Sequence, residues 1–70
     1  MTVVLLNGER RELPAEATVA MAVDIAGAPA LGRGVAVALD GEVVPRGQWA
    51  TTEVRDGQEL EVLHAVQGGA

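Results

Sequence analysis

The chain closes on Gln67-Gly68-Gly69-Ala70, and these residues carry its most distinctive chemical possibility. Paired glycines at the end of a small domain suit a reaction at the main-chain carboxylate itself. Glycine has no Cβ, so the backbone can thread a narrow enzyme channel and take φ values closed to other residues. It also leaves the terminal carbonyl unshielded. Ala70 covers the Gly69 carboxylate with one further residue, and any reading of the tail must account for it.

Side-chain chemistry elsewhere is sparse. The sequence has no cysteine, tyrosine, lysine or serine and a single histidine, His64. A side-chain nucleophile would have to be Thr18, Thr51 or Thr52, and none stands beside a plausible base. A lone histidine near a strand end reads as structural or surface, since a general base needs partners. No spacing of histidine with carboxylates suggests a metal site. Without cysteine the chain can hold sulfur on no thiol and form no disulfide, so sulfur chemistry would have to use the C-terminus. The composition argues against an enzyme.

Charge narrows the partners. All five cations are arginine, against ten acidic residues, for a net charge of −5. That balance argues against nucleic acid, where neutralising phosphates supplies most of the affinity, and against anionic membrane surfaces. It serves solubility, and it favours a basic protein partner met through electrostatic steering. With no lysine, the chain cannot be linked into polymers through its own ε-amines. No apolar run approaches the ~20 residues of a membrane-spanning helix, and Met1-Thr2 leads straight into a strand with no signal-peptide pattern. A cytoplasmic protein is expected.

Seventy residues make one domain, near the lower limit for a self-supporting core. Val3-Val4-Leu5-Leu6 reads as a strand ended by Asn7-Gly8, a strong type I′ hairpin signal. Glu9 to Leu13 is the return strand, stopped by Pro14. Thr18 reads as a helix N-cap with Glu16 just upstream. Val19, Ala22, Val23 and Ala26 then form one apolar face, with Gly27 as the C′ residue and Pro29 beyond it. Such a helix, about two and a half turns at ~3.6 residues per turn, must pack on a sheet to persist. After a loop at Leu31-Gly32-Arg33-Gly34 comes a third strand, Val35 to Leu39. Asp40-Gly41 is a second hairpin turn, with Glu42-Val43-Val44 returning to Pro45. Arg46 to Thr52 reads as an irregular turn or short helix, Asp56-Gly57 as a third turn, and Leu60 to Val66 as the last strand, with Leu60, Val62, His64 and Val66 alternating against Glu59, Glu61, Leu63 and Ala65. The order hairpin, helix, hairpin, connector, strand predicts an α+β fold, a mixed five-stranded sheet covered on one face by one helix. This is the β-grasp pattern, with the last strand central and parallel to the first. Residues 1–66 form the domain, and 67–70 read as a flexible tail.

Several segments resemble the ThiS family, the sulfur carriers of thiamine thiazole biosynthesis, with a ubiquitin-like β-grasp fold. They are Asn7-Gly8-Glu9, Arg11-Glu12-Leu13-Pro14, Ala17-Thr18-Val19-Ala20, Gly34-Val35-Ala36-Val37-Ala38, Gly41-Glu42-Val43-Val44-Pro45-Arg46, Trp49-Ala50-Thr51-Thr52, Asp56-Gly57 and Ala65-Val66-Gln67-Gly68-Gly69. A terminal Gly-Gly alone is a weak motif. The Val-Val-Pro-Arg block with Trp-Ala, combined with Ala-Val-Gln-Gly-Gly, is far more specific, and molybdopterin-synthase small subunits usually lack it. The resemblance implies that an E1-like adenylating enzyme (ThiF- or MoeB-like) uses ATP and Mg²⁺ to turn the Gly69 carboxylate into an acyl-adenylate. A persulfide from a sulfurtransferase or cysteine desulfurase then displaces AMP and leaves a thiocarboxylate. Thiazole synthase (ThiG-like) receives the sulfur. The carrier itself binds no cofactor and catalyses nothing.

Ala70 departs from the family pattern, which ends at the second glycine. A protease removes it, or the partner accepts alanine, or the chain is a stored precursor. Removal is the preferred reading, because a methyl group beside the carbonyl conflicts with a channel built for glycine. Among candidate partner contacts, Arg46 has little stability role, since exposed ion pairs contribute only ~0–1 kcal/mol. Glu42, Glu53, Asp56, Glu59 and Glu61 read as a solvated face or as a docking face for a basic adenylase surface, with Glu59 and Glu61 favoured as nearest the tail. Trp49 reads as core cover, though tryptophan also anchors interfaces. Two alternatives stay open: a carrier feeding molybdopterin, cysteine or a natural product, and a β-grasp modifier or binding module that never receives sulfur.

Overall fold

The computed structural model describes residues 1–27 and 34–64. Its elements run β1 (Thr2–Leu6), β2 (Glu9–Leu13), α1 (Val19–Ile25), β3 (Val35–Leu39), β4 (Glu42–Val43), a 3₁₀ turn (Arg46–Gln48) and β5 (Glu59–His64). They form one five-stranded sheet in the order β2-β1-β5-β3-β4. β1 pairs antiparallel with β2 and parallel with β5, and β3 pairs antiparallel with β4 and β5. This is the expected β-grasp arrangement, with the last strand in the middle of the sheet.

Turn chemistry fixes the two hairpins. Asn7 and Gly8 have φ of 51° and 83°, and Asp40 and Gly41 have 51° and 85°. Positive φ at both central positions is what a type I′ turn requires, and Asn-Gly and Asp-Gly meet that need at low cost. At the third turn signal only Gly57 has positive φ, and Gln58 N–H bonds the Arg55 carbonyl at 3.1 Å, which fits a type II turn.

Helix α1 spans seven residues, too short to stand alone. Its otherwise orphaned N-terminal N–H groups all find acceptors. Val19 N–H bonds the Thr52 carbonyl at 2.9 Å and Ala20 N–H the Trp49 carbonyl at 3.0 Å. Met21 N–H bonds the Thr18 hydroxyl oxygen, the expected N-cap, at 3.3 Å, and Ala22 N–H the Thr18 carbonyl. Val54 N–H to the Ala17 carbonyl, together with a Thr18–Glu53 bridge, ties the connector to the same helix end.

The core lies between α1 and one sheet face. Val19, Ala22 and Val23 of the helix meet Val4, Leu6, Leu13, Val37, Leu60 and Val62 of the sheet, with Ala26 packed at the margin. Trp49 is 7% exposed and closes one end, its indole N–H bonding the Val44 carbonyl at 2.9 Å. The core-cover reading of Trp49 therefore holds.

Two sequence expectations need adjustment. β4 spans only Glu42–Val43: Val44 N–H still bonds the Val37 carbonyl, but its own carbonyl takes the Trp49 indole, and Pro45, with no N–H to donate, leads into the 3₁₀ turn. β5 begins one residue earlier than expected, at Glu59, where Asp40 binds the backbone. Asp56 is exposed, as expected, but also accepts the Val3 N–H at 2.6 Å and fastens the start of β1. The expected roles of Pro29, Leu31-Gly32-Arg33 and residues 65–70 fall outside the described residues.

Candidate functional site

β5 leads toward the C-terminus and is held along both edges. On one side its register is Val35 to His64, Ala36 to Leu63, Val37 to Val62, Ala38 to Glu61 and Leu39 to Leu60. On the other, β1 contributes only Leu5 to Glu59 and Leu6 to Leu60 before it ends. Beyond that point Asn7 continues the pairing. Its N–H bonds the Leu60 carbonyl at 2.8 Å. Its side-chain amide then accepts the Val62 N–H at 2.8 Å through Oδ1 and donates to the Val62 carbonyl at 3.2 Å through Nδ2.

The start of β5 is fixed by another hairpin turn. Asp40 accepts the Glu59 N–H through Oδ1 at 2.9 Å and the Gln58 side-chain amide through Oδ2 at 3.0 Å. These bonds, the backbone one foremost, hold the Asp40 carboxyl below the usual carboxylate range. Both favour the charged form. The sequence marks Asn7 and Asp40 only as turn formers. Their further partners lie 55 and 19 residues away, so no local pattern reveals them.

Alternation along the strands gives the sheet a second face that α1 does not cover. Val3 and Leu5 of β1, Arg10 and Glu12 of β2, Ala36 and Ala38 of β3, Val43 of β4, and Glu59, Glu61 and Leu63 of β5 share it by register. Val43 and Leu63 are 76% and 63% exposed, and Leu5 39%. The face is thus an apolar centre with Glu59 and Glu61 on β5 and with Arg10 and Glu12 at the β2 edge. Glu59 and Glu61, singled out from the sequence, lie together on it, both exposed. A cleft of about 270 Å³ beside them is lined by Leu5, Gly8, Gly41 and Leu60. Arg46 is exposed too but begins the 3₁₀ turn after β4, so it is not brought beside that pair on β5. Among the described residues the ion pair formed is Arg11–Glu9, at 3.8 Å, leaving Arg46, Glu59 and Glu61 without one.

His64 ends β5 exposed. Among the described residues no group of three or more histidines and carboxylates could hold a metal ion. No helix among them is long and apolar enough to cross a membrane. The body therefore presents a surface and a directed strand. The residues assigned to the reaction, Gly69 with Gln67, Gly68 and Ala70, lie outside the described part.

Comparison with known proteins agrees with this architecture. The family model described as the ThiS family matches residues 4–69. The crystal structure of a thiamine biosynthesis protein (ThiS) from Geobacter metallireducens is similar over 97% of this chain and 100% of its own, with a TM-score of 0.74 and 30% sequence identity. Among curated proteins, none matches the chain.

Proposed function

The chain belongs to the ThiS family, and from that membership we propose that it is a sulfur carrier of thiamine biosynthesis, acting as a co-substrate. The observation that carries the reading is the extent of the family match. It runs through Gly68-Gly69 and stops there, with Ala70 beyond it.

The chemistry follows from what a carboxylate lacks. It is a poor acceptor for nucleophiles, and adenylation supplies a leaving group. Once Ala70 has been removed by a protease, an E1-like adenylating enzyme joins the Gly69 carboxylate to AMP, using ATP with Mg²⁺ and releasing pyrophosphate. A persulfide from a sulfurtransferase or cysteine desulfurase attacks the acyl carbon and expels AMP. A second thiol opens the resulting acyl disulfide, leaving sulfur on Gly69 as a thiocarboxylate and forming a disulfide on the donor side. Thiazole synthase takes the sulfur. Gly68 keeps the approach to Gly69 slender, and Gln67 begins the tail. The largely apolar sheet face supports docking to a basic enzyme surface through Glu59 and Glu61, with Arg46 contacting the partner separately.

Intact mass tests this. The full chain is incubated with cell extract, ATP and a sulfur source. Loss of one alanine, then replacement of one oxygen by sulfur, is expected. A chain made to end at Gly69 that stays unchanged under conditions that convert a known carrier would refute the reading.

A further inference from the structure

Resting on the carrier reading, we infer that Asn7 is a positioning residue, whose side chain acts as a surrogate strand and aims the end of β5 at the activating partner. Three observations carry this. First, β1 ends at Leu6, yet β5 runs on to His64. A continuing parallel ladder would bring a backbone carbonyl to the Val62 N–H. The turn at Asn7, with φ of 51°, carries the chain away toward β2 instead. Second, the Asn7 amide supplies both halves of the missing rung, an acceptor at 2.8 Å and a donor at 3.2 Å, while its own N–H holds Leu60. Third, among the described residues Val62 has no other strand for these groups. Val37, its opposite number on β3, directs its carbonyl to Val44 N–H of the far hairpin. Without the Asn7 amide, β5 beyond Leu60 is gripped from one edge.

The position matters for the chemistry. Gly69 lies seven residues past Val62, a span of at most about 25 Å when extended. The placement of β5 at Val62 sets where the chain leading to Gly69 begins, and a misplacement near 1 Å can cost about a hundredfold in rate. Turn geometry alone does not account for the residue, because glycine or aspartate meets the same φ requirement.

Asn7→Gly separates the two roles: it tolerates positive φ but removes the amide. Val23→Ala, in the core under α1, serves as a control that lowers stability and leaves Val62 held. ATP–pyrophosphate exchange is measured with the adenylating enzyme on the full chain and on the chain ending at Gly69, alongside amide hydrogen exchange at Val62. Asn7→Gly is expected to speed exchange at Val62 and lower kcat about tenfold with KM within about twofold, while Val23→Ala keeps kcat. Asn7→Asp, which retains the acceptor for Val62 N–H, should recover part of kcat. Unchanged kcat in Asn7→Gly, or an equal fall in Val23→Ala, overturns the positioning role. A wild-type chain that is never activated removes the carrier reading itself and this role with it, a result distinct from equal activity in wild type and variant.

Discussion

Trp49→Phe is the sharpest test of how so small a core holds together. The indole is 7% exposed, and its N–H bonds the Val44 carbonyl at 2.9 Å within the core. Phenylalanine keeps an aromatic ring but has no donor. Leaving the Val44 oxygen unpaired would cost about 1–3 kcal/mol. The smaller ring also gives up apolar contact comparable to one or two methylenes, about 1–2 kcal/mol at ~0.8 kcal/mol for each. The sum, about 2–5 kcal/mol, is set against a total stability on the order of 4–10 kcal/mol for a domain of this length. A fall in Tm of at least roughly 10 °C is expected, at 4–8 °C per kcal/mol for small domains. Because the substitution removes the sole fluorophore, unfolding should be followed by circular dichroism in urea. Val44→Ala provides a comparison that removes side-chain burial but keeps the indole bond. A loss below about 0.5 kcal/mol in Trp49→Phe, with an unchanged m-value, would refute the claim that this bond and ring anchor the connector to the core.

Four further outcomes are expected. Asp40→Asn should flatten the acid limb of the stability curve: the folded-state pKa of Asp40 is lowered, so its contribution is present above about pH 4, the ordinary carboxylate value, and is lost as pH falls through the folded value. Chemical denaturation of both proteins between about pH 4 and pH 2 checks this, and equal slopes would show that Asp40 contributes nothing. Glu59→Gln with Glu61→Gln should slow association with the adenylating enzyme by roughly three- to tenfold at low salt and weaken its salt dependence, read by stopped flow. In the chain ending at residue 69, Gly69→Val should leave the thermal transition in place, because the described core residues lie between Val4 and Val62, yet abolish the ATP–pyrophosphate exchange that the Gly69-ending chain supports. Leu60→Ala, with Leu60 1% exposed, should cost about 2–5 kcal/mol, read as a lower urea midpoint by circular dichroism.

The elements were legible where the signal is local. Asn7-Gly8, Asp40-Gly41, the Thr18 cap and the alternation around Leu60 and Val62 each lie within a few residues of the structure they specify. The two β5 carboxylates of the open face were legible for the same reason, since a period of two puts Glu59 and Glu61 on one side. What stayed hidden was long-range pairing of side chains with backbone. Asp56 looked like one more solvated acid, but its oxygen meets Val3, 53 residues away. Asn7 looked fully explained by its turn, and the same side chain also reaches Val62. A residue whose local role suffices gives no sign of a second, distant one.

The reactive group assigned here is a main-chain carboxylate, and that explains both what could be read and what could not. A side-chain active site leaves a constellation of residue types in the sequence. A main-chain one leaves only glycines, so the functional reading depended on segments spread along the chain rather than on any cluster. The same fact sets the task of the fold. On the proposed reading there are no catalytic side chains to orient, and the task left to the domain is to present a surface and send one strand toward the partner from a stable base. Placing the last strand in the sheet centre, between β1 and β3, meets that need, because a central strand is restrained along both edges. The shortfall is that β1 ends before β5 does. The Asn7 amide covers it at Val62, so the residue that turns the first hairpin also stiffens the strand leading to the proposed site of chemistry.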